Sequence, residues 1–253
     1  MPEHFYKNQG KGFIIGLAGG VFGGLLGLGG GIIMIPLMVF LAGQTQHKAH
    51  GTSLVAIIFT GLIGAVTYLL HNSIDWAAAA ILAASAMVMA RYGAIYAHSL
   101  SERKLKKVFG IFLIFISLLL VAKGIWIIGI LSFGGVWKFI LLFVTGMVTG
   151  FLSGMLGIGG GGIMIPLLVI LIGMPQHLAQ GTSLLAMAPG SAVGAYTHYK
   201  LGNVALNLCI GLALGAGIGG YMGASFAHFL PDLYLKILFA IMGLWMGIKY
   251  VRV

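Results

Sequence analysis

The residues best placed to do chemistry in this chain carry no charge. Two glycine runs, Gly29-Gly30-Gly31 and Gly159-Gly160-Gly161-Gly162, each lead within one and a half helical turns to a proline, Pro36 or Pro166. Glycine reaches positive φ and lets a ligand approach bare backbone amides. A helix that opens straight after such a run presents N–H groups with no intrahelical partner, at the positive end of its dipole. Two such ends facing each other would cage a small anion without any charged side chain. Each proline also frees one carbonyl, which suits a cation, so the glycines and prolines alone leave the sign of the ligand open. No Gly-Lys-Ser/Thr follows either run, which excludes a phosphate-cradling P-loop.

A matched polar turn comes next in both places: Gln46-His47 and then Gly51-Thr52-Ser53, Gln176-His177 and then Gly181-Thr182-Ser183. Hydroxyls and amides of this kind can replace part of an anion's hydration shell, and they are equally suited to capping helices. The candidate substrate-binding set is therefore Gly29, Gly30, Gly31, Gln46, His47, Thr52, Ser53, Gly159, Gly160, Gly161, Gly162, Gln176, His177, Thr182 and Ser183. His47 and His50 are the nearest approach to a metal pair. Gln180 stands where the second copy would repeat His50, and no carboxylate or cysteine is close, so no metal and no other cofactor is expected.

The elements that position these groups must live in lipid. Of 253 residues 60% are apolar and 7% charged, with a mean hydropathy of +1.08. A soluble domain carries about 25% charged residues, so this composition describes a polytopic, all-α integral membrane protein with the lipid bilayer as its surroundings. The net charge of +10 is spread between apolar segments rather than gathered on one face. That reads as topology signals and contacts with anionic lipid, not as nucleic-acid binding. The single cysteine, Cys209, excludes an intrachain disulfide. No small-residue cleavage site follows the first apolar run, so no removable signal peptide is expected.

The chain is also a duplication. Gly24 to Leu54 reads GLLGLGGGIIMIPLMVFLAGQTQHKAHGTSL and Gly154 to Leu184 reads GMLGIGGGGIMIPLLVILIGMPQHLAQGTSL, with 21 identities in 31 positions at a constant offset of 130. The offset holds downstream, placing Gly194-Ala195 opposite Gly64-Ala65 and Phe239 opposite Phe109. Residues 1–123 form the first membrane repeat, 124–137 a connection that includes the end of the fifth segment, and 138–253 the second repeat. Each repeat has five apolar segments: 12–28, 32–43, 51–70, 74–98 and 105–130, then 138–158, 162–173, 181–198, 203–229 and 233–250. The second segment of each, about 16 Å long as a helix, is too short to span.

Positive charge decides how these segments run. If each glycine-broken pair is a hairpin that returns to its starting side, Lys7, Lys11, Lys48, Arg91, Arg103, Lys104, Lys106, Lys107, Lys200, Lys249 and Arg252 share one side. Lys123, Lys138 and Lys236 fall on the other, a split of 11 against 3. If each pair crosses once, the split is 7 against 7. The hairpin reading follows, with both termini cytoplasmic and the second repeat inverted relative to the first, a recurrent plan of secondary transporters. The count is ten apolar segments, or eight elements with each hairpin taken as one. Glu3, Asp75, Glu102 and Asp232 lie at segment ends or in loops, leaving no intramembrane carboxylate relay. Arg91, opposite Tyr221, reads as a snorkelling side chain, and His71, His98, His198 and His228 read as interfacial.

The paired stretches Gly24 to Pro36 and Gly154 to Pro166, each followed by Gly-Thr-Ser at 51–53 and 181–183, resemble the TauE/SafE family of membrane anion exporters along the whole chain. That resemblance implies a multi-pass permease of a cytoplasmic membrane for sulfite, sulfonates or related small anions. Family members are described as eight-helix proteins with a four-plus-four duplication, from which the segment count here departs. The family often carries a Gly-Ala-Arg in its fourth segment; here Arg91 precedes Gly93-Ala94, and the second copy reads Gly223-Ala224-Ser225. Export of a small anion is the expected function, with import of thiosulfate or an organic sulfonate as the alternative; a homo-oligomer is compatible with the sequence. An intramembrane enzyme would need a carboxylate pair, a serine–lysine dyad or a metal set at membrane depth, and a cation carrier would need buried acids; neither pattern is present.

Overall fold

The computed structural model of the chain describes residues 2–125 and 135–227, together with Phe229, Ile237, Ile241, Leu244, Trp245 and 247–252. The tail of the fifth segment, most of the connection and much of the final segment, with His228, Asp232 and Lys236, lie outside the described residues. The described part is all-helical: α1 Pro2–Leu26, α2 Gly31–Leu41, α3 Gln46–Leu70, α4 Trp76–Ser99, α5 Glu102–Ile125, α6 Val136–Leu156, α7 Gly161–Leu171, α8 Gln176–Lys200 and α9 Leu206–Ala227. The duplication is visible in the boundaries. α7 and α8 begin and end 130 residues after α2 and α3, and α9 begins 130 after α4.

Five of these helices are long and apolar enough to cross a bilayer: Asn8–Leu26 within α1, then α3, α4, α6 and α9. α8 has the length of α3, but its glycines and polar side chains lower its hydropathy, and it lies largely buried in the bundle.

The short helices return to the side they came from. Lys11 Nζ near the start of α1 donates to Leu41 O at the end of α2 (3.3 Å), and Met34 of α2 lies against Gly19 of α1. The stretch of α1 from Lys11 to Leu26 rises only about 22 Å, less than a hydrocarbon layer, before the chain turns. The turn is made by glycines in the left-handed region: Gly27, Gly29 and Gly30 at φ 71°, 80° and 85°, and Gly157, Gly159 and Gly160 at 66°, 86° and 83°.

Direction follows from which residues meet. Along the α3–α8 contact Gly51 meets His198, Leu54 meets Gly194, Gly61 meets Ala188, Gly64 meets Leu184 and Tyr68 meets Gln180. These equivalent helices therefore run antiparallel over their length. On α1 and α9 the pairs Gly12–Leu208, Gly16–Leu212, Gly20–Ala216 and Gly24–Gly220 rise together, so those two are parallel. The counterpart pair α4 and α6 is parallel too, through Leu82–Gly146, Ala86–Gly150 and Ala90–Gly154. All three observations agree on one arrangement: each first helix packs on the fourth helix of the other unit, and equivalent helices point in opposite directions. Glycines every fourth residue on α1 (Gly12, Gly16, Gly20, Gly24) and α9 (Gly211, Gly215, Gly219, Gly223) let the backbones touch, where lipid supplies no hydrophobic drive.

Candidate functional site

The two glycine tips meet at the middle of the bundle. A Cβ built on Gly29 or on Gly159 would touch the same two side chains, Ile57 and Met187. Those two are equivalents at the offset of 130, and each is the twelfth residue of a 25-residue helix, α3 or α8. Gly31 lies against Gly157 and Ile158 of the opposite tip, and Gly161 lies against Gly27 and Leu28. Gly29, Gly30, Gly31, Gly159, Gly160, Gly161 and Gly162 are all buried.

Each tip brings two helix ends together, with unlike treatment. The carbonyl ends of α1 and α6 are covered by side-chain donors. Ser53 Oγ lies 2.7 Å from both His50 O and Gly157 O, and Ser183 Oγ lies 2.9 Å from Gln180 O and 3.1 Å from Gly27 O, so each serine holds the hairpin of the opposite unit. His50 Nδ1 donates to Met155 O (3.1 Å), which leaves its Nε2 to accept from Gln46 Nε2 (2.7 Å). His198 Nε2 donates to Gly154 O (2.8 Å). In the first unit the matching carbonyl, Gly24 O, lies 3.4 Å from the hydroxyl of Tyr68, which also reaches Gln180 Oε1 at 3.1 Å. The amide ends are treated oppositely. Gly30 and Gly160, the residues before α2 and α7, make no side-chain cap, and no acidic residue lies in either first turn. The bundle therefore neutralises the negative ends of its hairpins and leaves the positive ends of α2 and α7 uncapped by any side chain.

The expected polar turns do other work in this conformation. Thr52 Oγ1 accepts the N–H of Ala205 (2.8 Å) and Thr182 Oγ1 accepts that of Asp75 (2.9 Å), so each threonine pins the start of the other unit's fourth helix. Gln46 and His47 open α3 at one end of the bundle, Gln176 and His177 open α8 at the other. Each pair is about 16 Å along its helix from the level of Ile57 and Met187, so the structure keeps the two pairs apart. His47 Nε2 lies 3.1 Å from Ala97 O and 3.0 Å from Leu100 O, tying α3 to the end of α4. Arg91 is exposed on α4, away from the tips, as a snorkelling residue would be. His198 departs from its interfacial reading: it is fully buried, with its Cβ packed against Gly51 and its ring bonded to Gly154 O near the end of α6.

A cavity adjoins the tips. It has a volume of about 10 Å³ and is lined by Ala86, Thr149, Gly150, Ser153, Gly159, Met164, Met187 and Gly190. Neither Thr149 nor Ser153 stands out by residue type. The signal that finds them is the difference between the copies, since their counterparts are Gly19 and Gly23.

Comparisons with known proteins point to a family of membrane transporters. The family described as "Sulfite exporter TauE/SafE" matches residues 12–250. The chain is similar to the probable membrane transporter protein YunE of Bacillus subtilis, 32% identical over 238 residues, covering 84% of this chain and 86% of that one. It is also similar to the probable membrane transporter protein MJ0441 of Methanocaldococcus jannaschii, 26% identical over 253 residues, with 92% and 93% covered. A probable membrane transporter protein of Haemophilus influenzae is 25% identical over 251 residues, with 90% and 92% covered. No solved structure gives a significant match. With a family match over nearly its full length and relatives that align end to end, the chain belongs to the TauE/SafE sulfite exporter family and is a multi-pass membrane transporter.

Proposed function

We propose that this transporter moves a small sulfur-containing or organic oxyanion, such as sulfite or a sulfonate, outward across the cytoplasmic membrane, holding it where the two hairpin tips meet. The observation that carries the sign is the unequal treatment of the helix ends. Donors from Ser53, Ser183, His50, His198 and Tyr68 cover the carbonyls, while the starts of α2 and α7 carry no side-chain cap. A buried region arranged this way repels cations, because little water screens a charge there. Several oxygens on one small anion can each accept an amide bond. The parallel exchange of first helices between inverted units supports alternating access by rocking of one hairpin set against the other.

The basic end faces the cytoplasm in this reading. Among the described residues Lys11, Lys48, Arg103, Lys104, Lys106, Lys107, Lys200, Lys249 and Arg252 belong to the end where α1 begins, and Lys138 to the opposite end. Energy comes from ion or substrate gradients or from a partner protein, since the chain carries no nucleotide-binding motif.

Proteoliposomes loaded with sulfite, a sulfonate, sulfate or chloride, with and without a pH gradient, test the proposal. Saturable flux of sulfite or sulfonate, with no sodium flux when oxyanion is absent, is the expected result. Flux of sodium or a metal ion without response to any oxyanion shows that the sign is reversed.

A further inference from the structure

Although the chain is a duplication, its two hairpins are not equally open at their tips. In the first unit α1 closes on its own hairpin: Gly23 sits against the backbone of Gly29 and Gly30, and Gly19 against Met34. The equivalent positions on α6 carry side chains, Ser153 and Thr149, which hold α6 off the second tip. Across from them, Thr60 of α3 corresponds to Gly190 of α8. Thr60 fills its space and lies 3.3 Å from Ala216 O, whereas Gly190 leaves its space empty. The result is the cavity beside Gly159, found on the second unit's side.

Ser153 is the group in it that lacks a protein partner. The residue is 4% exposed and lines the cavity, and its hydroxyl makes no hydrogen bond to the described protein. Thr149 differs: its hydroxyl already lies 2.7 Å from Thr145 O. Gly160, immediately before α7, packs against the Cβ atoms of Thr149 and Ser153, so the free hydroxyl lies beside the uncapped start of α7.

We propose that the oxyanion subsite is one-sided: one oxygen of the anion accepts a hydrogen bond from Ser153 Oγ beside the start of α7, with Met164 and Met187 as its apolar wall. This rests on the anion reading above and adds to it a residue that contacts the substrate. An oxygen-bearing head such as sulfite or sulfonate can meet the hydroxyl with one oxygen and the backbone amides with the others. The cavity admits about one water-sized group. A whole oxyanion therefore enters when the second hairpin draws away from α6, and the space seen here is what remains when the two close.

Titration calorimetry of the purified full-length protein with sodium sulfite, methanesulfonate and sodium chloride tests the assignment. The variants are Ser153→Ala, Gly190→Ala and, for the first unit, Thr60→Ala. A methyl on Gly190 meets Ala86 at an ordinary 3.4 Å, so that variant fills the cavity without forcing the backbone apart. Ser153→Ala is expected to weaken sulfite binding by ~10-fold, one hydrogen bond to a charged ligand. Gly190→Ala should weaken it at least as much, with thermal stability retained in both second-unit variants, and Thr60→Ala, which gives up a buried contact with Ala216 O, should lower the melt but leave binding unchanged. If wild type binds sulfite and both second-unit variants bind it equally well, the subsite is wrong while the anion reading stands. If Thr60→Ala weakens binding as much as Ser153→Ala, the one-sidedness is wrong. If wild type binds no oxyanion, the anion reading itself fails and takes the subsite with it.

Discussion

Ser53 and Ser183 perform the same task from opposite ends of the molecule, each holding the hairpin turn of the other unit through a carbonyl at its tip. Removing either hydroxyl leaves a buried carbonyl short of a donor, so Ser53→Ala and Ser183→Ala should each destabilise the protein by about 1–2 kcal/mol. Thermal melts in detergent would show the two as similar drops, and an unchanged melt for both would mean that the cross-unit bonds carry no load. The threonines belong to the same logic. Thr182→Ala removes an acceptor from Asp75 N, so its expected effect is on stability rather than on anion affinity. Gly30 shows why the most direct substitution is a poor probe of the site. It sits at φ 85° with Gly19 O where a Cβ would go, so valine there strains the turn before any ligand is involved. Much of this was legible in the sequence as position but not as partner. The paired hydroxyls were visible beside the glycine runs, yet nothing local tells that Thr52 meets residue 205 or that Ser53 meets residue 157. Ser153 was hidden for a related reason: within its own copy it is an ordinary serine, and only its mismatch with Gly23 marks it.

At the scale of elements, the glycine-proline pieces and the spanning helices follow directly from segment length, the offset of 130 and the lysine distribution. Lys11 reaching Leu41 shows the hairpin return that the charge count favours. The exchange of partners between units was not legible. Glycines at every fourth position on α1 announce that some helix approaches closely, but α4 and α9 are both small-residue-rich enough to be candidates, and contact with α9 emerges only from the fold. The exchange makes a prediction about packing. Gly16→Ala drives a methyl into Leu212 O and should cost several kcal/mol or prevent folding, since backbone cannot step aside cheaply. Gly10→Ala, on the same helix with nothing within 4 Å, should be neutral. Expression level and size-exclusion profile in mild detergent would separate the two; equal behaviour of both variants would contradict the α1–α9 contact.

For the whole molecule, the arrangement that gives the site its character is inversion. If equivalent helices ran the same way, both tips would lie at one depth near one surface, and α3 could not meet α8 from residue 51 to residue 68 in reverse order. Inversion instead brings two uncapped helix starts to the level of Ile57 and Met187 from opposite sides, where the described residues offer amides and hydroxyls and no carboxylate. Thr45 and Pro175 are equivalent, exposed, and lie just before α3 and α8. They report on inversion most directly. In a Cys209→Ala background, Thr45→Cys and Pro175→Cys are each treated with a membrane-impermeant maleimide, in intact cells and after the membrane is opened. The inverted arrangement predicts opposite sidedness, with Pro175→Cys labelled from outside and Thr45→Cys labelled only once the membrane is open. Labelling of both positions from the same side would contradict the inverted pair of hairpins and, with it, the site between them.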